Sequence, residues 1–168
     1  VTFTGAPVGT NYNFRVNGGS VQNGALSTFT TTSLTNGQTV DVIVTSAAGC
    51  SGTSGVITMT VNGNPVAGLT SSDGDNIICA GTGVTFTGSG GSSYEFFVDG
   101  TSVQSGLSST YVTSVLSGGQ TVTVKVSNAA GCSTTSAGIT TVVNANPVAS
   151  LVSNDSDNII CAGTSVTF

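Results

Sequence analysis

The four cysteines, Cys50, Cys79, Cys132 and Cys161, carry most of the chemical potential in this chain. They stand far apart, and there is no histidine, so no closely spaced Cys/His set for zinc exists. Disulfide formation in an oxidising, extracellular setting is the reading that fits them. A Ser or Cys nucleophile needs a general base, and imidazole is absent. Glu95 and Asp99 have no like-charged partner nearby in the sequence pattern and read as a solvated strand and turn. No enzymatic activity and no cofactor are expected. One other constellation has a mechanism. Asp73, Asp75 and Asn76 recur as Asp155, Asp157 and Asn158, each set just before a Cys-Ala-Gly. Oxygens at alternate positions could ligate Ca²⁺, but two carboxylates are few for a hard cation, and Asx-turns account for the same residues without an ion. Phe97 is the single candidate for an outward aromatic, and Arg15 holds the matching place in the first half of the chain.

The composition narrows the partners. Lys+Arg number 2 and Asp+Glu 7, a net charge of −5. Two cations cannot follow a phosphate backbone, which excludes nucleic acid, and the negative balance disfavours anionic membrane surfaces. No apolar run is long enough for a membrane-spanning helix. The opening VTFTGAPVGT has neither a basic nor an apolar signal-peptide region, so an exported protein is expected to be represented by its mature form or by an internal segment. Val, Thr, Ile, Phe and Tyr are plentiful, helix formers are scarce, and 24 Gly punctuate short alternating runs. That is an all-β chain.

Self-similarity organises the rest. VTFTG at positions 1–5 returns at 84–88, and VTF returns again at 166–168. AAGCS at 47–51 recurs at 129–133, and DNIICAGT at 75–82 recurs at 157–164. The repeat is therefore about 82 residues, with a one-residue length difference between Gly5 and Tyr12. NPVA at 64–67 and 146–149 marks the seams, because proline favours an extended linker before it. Three parts result: 1–64, a repeat lacking its first strand; 65–146, a complete repeat; and 147–168, the first strand and the start of the second strand of another. The span reads as a window on a longer array.

Alternation and turn signals in the complete repeat place strands at 65–71, 83–87, 94–98, 103–105, 110–115, 121–126 and 139–143. Asp99-Gly100 closes a hairpin. Seven short strands in about 80 residues indicate a tandem immunoglobulin-like β-sandwich. The expected core is Tyr94, Phe96, Val98, Val122, Val124 and Val126, matched in the first copy by Tyr12, Phe14, Val16, Val40, Val42 and Val44; Glu95 and Lys125 should face water. A core this small is marginal without some further staple. The simplest staple is Cys79–Cys132. In an immunoglobulin topology, however, the second and sixth strands run the same way. Cys79 would precede one and Cys132 would follow the other, placing them roughly 20–30 Å apart, beyond the ~7 Å reach of a disulfide. Pairing between neighbouring repeats is favoured, with the partners of all four cysteines then lying outside this span.

The strings CAGTGVTFTG, YEFFVDG, TVTVKVSNAAGCS and GITTVV resemble the immunoglobulin-like or PKD-like repeats of giant Bacteroidota surface adhesins, including those of gliding motility exported by type IX secretion. The resemblance covers essentially the whole chain. It implies a filamentous, extracellular protein in which such repeats are spacers and whose partners are neighbouring repeats, with lateral copies in a fibre conceivable. Phe14 and Phe96 stand where that family commonly has Trp. The leading expectation is thus a structural stalk. The alternatives are a glycan- or cell-binding module, and a noncatalytic accessory region of a secreted hydrolase.

Overall fold

The computed structural model describes residues 1–168 and is built of strands alone. The chain divides into two compact units, Val1–Asn64 and Pro65–Phe168, each with its own core.

The first unit contains β1 (Thr2–Thr4), β2 (Asn11–Val16), β3 (Gly19–Gly24), β4 (Thr28–Thr30), β5 (Thr39–Thr45), β6 (Ser51–Thr53) and β7 (Ile57–Thr58). One sheet runs β3-β2-β5-β6, with β7 also on β5, and the other is the pair β1-β4. The second unit contains β8 (Gly68–Ser71), β9 (Ile77–Cys79), β10 (Val84–Ser89), β11 (Ser93–Val98), β12 (Thr101–Gly106), β13 (Thr110–Thr113), β14 (Thr121–Ser127), β15 (Ser133–Thr135), β16 (Ile139–Thr140) and β17 (Val142–Asn144). Its sheets are β13-β10-β8 and β12-β11-β14-β15, the latter with β16 on β14; β9 and β17 form a parallel pair. Each unit is an immunoglobulin-like β-sandwich, the second with three strands facing four.

Period-2 patterning explains the inner faces. Along β14, Val122, Val124 and Val126 are fully buried while the residues between them are not. On β11, Phe96 is fully buried, and β10 contributes Val84 and Phe86 from the opposite sheet. Tyr12, Phe14, Val40, Val42 and Val44 are buried in the first unit. An aromatic trio crosses each core. Tyr111 lies 6.4 Å from Phe86 and 5.7 Å from Phe96, and Phe29 lies 6.2 Å from Phe3 and 5.7 Å from Phe14.

Three expected core residues are only half-buried: Val16, Tyr94 and Val98. Val16 and Val98 end their strands beside the hairpin turns. Tyr94 lays its ring over Gly88 and donates its hydroxyl to the Gly91 carbonyl (2.8 Å). A Cβ on Gly88 would meet that ring at 2.9 Å, and one on Gly5 would meet the Tyr12 ring at 2.7 Å. The recurring glycine of VTFTG is thus explained by the tyrosine that crosses it.

The hairpin turns use Asn17-Gly18 and Asp99-Gly100, with φ of 50° and 78°, and 49° and 80°. Two successive positive φ values are the type I′ geometry that suits twisted strands. The Asp99 Oδ1 accepts the Thr121 N–H (2.9 Å), and the Asn17 Oδ1 accepts the Thr39 N–H (2.9 Å).

The strand bounds differ from the sequence reading, and β15 (Ser133–Thr135) has no counterpart in it. The first strand of the complete unit begins at Gly68 rather than residue 65, and the hairpin partner of β11 extends over Thr101–Gly106, with a bulge at Phe96/Phe97. The run 139–143 breaks into β16 and β17 around Thr141, which is 1% exposed. β9 was not anticipated, because three residues are too few to show a period.

Candidate functional site

The features that could act on anything outside the chain lie at the ends of the sandwiches and along one strand edge. Cys79 is the last residue of β9, opposite Asn144 in β17, and not in a loop as its neighbours Ala80 and Gly81 suggest. Cys132 closes a turn at the far end of β14. Its N–H donates to the Asn128 Oδ1 (3.0 Å), and its carbonyl accepts the Asn128 N–H (3.0 Å). Cys50 ends the equivalent turn of the first unit, where its carbonyl accepts the Ser46 N–H (2.8 Å).

The register sets the separation within the second unit. Ser133, next to Cys132, pairs with Ser127 at one end of β14, whereas Thr140 pairs with Thr121 at the other end. β17 and Cys79 lie beyond that second end. Seven residues of β14 at about 3.4 Å each put the two cysteines roughly 20 Å apart or more, far outside disulfide range.

The Asp73, Asp75, Asn76 loop is held by its own side chains. The Asp73 N–H donates to the Ser71 Oγ (3.1 Å), the Ile77 N–H donates to the Asp75 Oδ1 (3.0 Å), and Asn76 sits at φ 59°. The same bonds recur at Asp155 and Asp157, with Asn158 at φ 58°. These are the Asx-type turns that the residue types favour. Two oxygens, Asp73 Oδ2 and Asn76 Oδ1, are buried without a hydrogen-bond partner, as is Asp155 Oδ2. They are the atoms a cation or a water would meet. Asp75 Oδ1 is already engaged, and no cluster of three or more His, Cys, Asp or Glu forms. The loop supplies far fewer than the six to eight oxygens Ca²⁺ takes.

On the outer face of the larger sheets the two units differ by whole cross-strand pairs. In the first, Arg15 faces Asp41 and donates Nε and Nη2 to its two carboxylate oxygens, both at 2.7 Å. That hydrogen bonding raises the Arg15 pKa above its ordinary value. In the second unit the same pair is Phe97 and Thr123, and Phe97 is half-buried. One step along, Asn13 faces Ile43 in the first unit, and Glu95 faces Lys125 in the second at 3.9 Å. Partners across the ladder change together, as cross-strand energetics require. Glu95 and Asp99 serve a surface ion pair and a turn.

The sequence reading did not anticipate an open edge on β1. β1 has one neighbour, β4, through bonds made by Val1 and Gly5. The N–H and C=O groups of Thr2 and Thr4 point the other way, along an open edge. In the second unit that edge is covered by β8, with Leu69 opposite Gly88 and Ser71 opposite Phe86. A groove of about 360 Å³ runs beside β1, lined by Phe3, Phe14, Val40, Val42 and Ile57 among others. The segment that covers this edge in the second unit is Gly68–Ser71, which directly follows the repeated NPVA.

No family model and no curated protein sequence matches the chain. Among solved structures, it is similar to the fibronectin(III)-like modules of Clostridium thermocellum CbhA, at 12% identity and a TM-score of 0.47, covering 84% of this chain and 83% of that one. It is also similar to an amphioxus IgVJ-C2 molecule, at 15% identity and a TM-score of 0.38, with 84% and 95% covered. A third is SGBP-B of the Bacteroides ovatus mixed-linkage glucan utilization locus, solved with a mixed-linkage heptasaccharide, at 17% identity and a TM-score of 0.27, with 86% and 40% covered. No helix is long and apolar enough to cross a membrane.

Proposed function

We propose that the chain is a noncatalytic stretch of an extracellular stalk, an array of immunoglobulin-like repeats that separates or extends other elements. One observation carries the reading: in the second unit the chain enters and leaves at opposite ends. β8 begins opposite Ser89, at the end of the sandwich where β14 stops, and β17 leaves beyond the end where β14 starts. Modules built that way string lengthwise, and a duplicated repeat of about 82 residues lengthens the string without new chemistry.

The cysteines fit the same reading. Each complete repeat carries one at its entry end, as Cys132, and one at its exit end, as Cys79. Pairing an exit cysteine with the entry cysteine of the following repeat would staple every joint, and it suits geometry that keeps Cys79 and Cys132 of one repeat apart. Electron microscopy of the native material tests the stalk. The expected result is a thin fibre with an axial period of about 40 Å per repeat, the length of its strands plus linker; a compact globule would count against it. Non-reducing peptide mapping tests the staples, and a Cys79–Cys132 peptide would refute them.

A further inference from the structure

The complete repeat, residues 65–146, is crossed from end to end by two chain segments of equal length. Pro65 and Cys79 stand fourteen positions apart, and so do Cys132 and Asn146. The other copies keep the count, from Cys50 to Asn64 and from Pro147 to Cys161. The first segment carries β8 and β9, and the second carries β15, β16 and β17. Between Cys79 and Cys132 lie β10 to β14, with every buried hydrophobic residue of this core except Ile78.

The two segments start level and finish level. At the entry end the Val66 carbonyl lies against Gly90, where any side chain would strike it. The Ser92 N–H, two residues on, donates to the Ser127 carbonyl (2.9 Å), and Ser127 pairs with Ser133, the neighbour of Cys132. At the exit end Cys79 lies opposite Asn144 in the parallel β9-β17 ladder. That ladder is tied above and below by the Val142 N–H to the Asn76 carbonyl and the Ala80 N–H to the Asn144 carbonyl, both 2.9 Å. The Asn146 Nδ2 adds a bond to the Ala80 carbonyl (3.0 Å). Both segments therefore run in one direction, from entry to exit.

We propose that the cysteines route tensile load past the sandwich, an inference that rests on the joint staples of the stalk reading. Each joint then has two covalent links, the peptide bond from Asn146 to Pro147 and the disulfide from Cys79 to the entry cysteine of the following repeat. Each staple forms by exchange, the two thiols giving two protons and two electrons to an external disulfide that is reduced to thiols. A pull arriving at Pro65 leaves through Cys79, and one arriving at Cys132 leaves through Asn146. Two continuous covalent lines thus run the length of the array, exchanging segments at every joint, and residues 80–131 lie outside both. Because the lines are equal in length and end level, they tighten together and share the load. Fourteen residues reach at most about 50 Å when straight, against about 40 Å for the folded repeat, so a stapled repeat yields only about 10 Å. Without staples its 82 or so residues reach about 280 Å, a gain of about 240 Å. A Cys79–Cys132 bond inside the repeat would leave both segments in line, about 95 Å, for a gain of about 55 Å.

Single-molecule stretching of the native fibre, first oxidised and then reduced and alkylated, reads these gains directly. The oxidised fibre is expected to lengthen by about 10 Å per repeat and then break without steps. After reduction the fibre should lengthen in steps of about 240 Å. Steps of about 240 Å from an oxidised fibre whose peptide map contains the joint disulfides overturn the load path and leave the stalk and its staples standing. A reduced fibre that never steps overturns it too, since the cysteines are then not what spares the sandwich. Steps of about 55 Å from the oxidised fibre would place Cys79 and Cys132 in one bond, which removes the staples and the load path together. The stalk reading itself fails on a different result, an electron micrograph that shows no fibre.

Discussion

Truncating Phe96 to Ala is the sharpest probe of the sandwich, because Phe96 is fully buried and joins both sheets through Tyr111 at 5.7 Å. A buried Phe removes about 150–250 Å² from water, and at about 25 cal/mol per Å² that is roughly 4–6 kcal/mol. Measured Phe-to-Ala losses of about 3–5 kcal/mol agree. A unit of this size has a total of about 4–12 kcal/mol to lose, and each kcal/mol shifts Tm by about 4–8 °C. Phe96→Ala should therefore lower the melting transition of the second unit by more than about 12 °C. Tyrosine fluorescence follows it, with Tyr94 and Tyr111 reporting the second unit and Tyr12 the first. Phe97→Ala, one residue away on the outer face and half-buried, is the control and should cost about 1 kcal/mol. If the two variants melt together, the assignment of inner and outer faces is wrong.

The turn at Asp99 offers a second measurement. Asp99→Ala loses the acceptor for the Thr121 N–H and a residue tolerant of positive φ. Chemical denaturation should show a loss of about 1 kcal/mol, while Asp99→Asn, which copies Asn17, should be close to neutral. For the Asp73 loop, excess EDTA should leave the melting curve of either unit unmoved, since Asp75 Oδ1 is engaged in a turn bond and the donor set is short for calcium. A drop on chelation that added Ca²⁺ reverses would show that Asp73 Oδ2 and Asn76 Oδ1 do hold a cation.

Much of the architecture was legible in the linear chain. Alternation along 94–98 and 121–126 marks an inner face because successive side chains of a strand point to opposite sides, and repetition of the same pattern at 12–16 and 40–44 supplies an independent copy of that evidence. The Asp99-Gly100 turn was readable because few residue pairs adopt two positive φ values. The absence of histidine and the scarcity of cations were compositional and needed no coordinates.

Tertiary structure decided what depends on residues distant in sequence. Tyr94 looked like an interior residue, yet its hydroxyl draws it to the rim beside Gly91. Ile77, Ile78 and Cys79 became a strand only because β17 returns alongside them some 65 residues later, and no local period can report such pairing. Burial of Val84 was settled by Ile78 and Leu116, which share its core cluster from distant parts of the chain. A motif specifies which face a side chain takes; the presence of a neighbour on that face is a property of the assembled sheet.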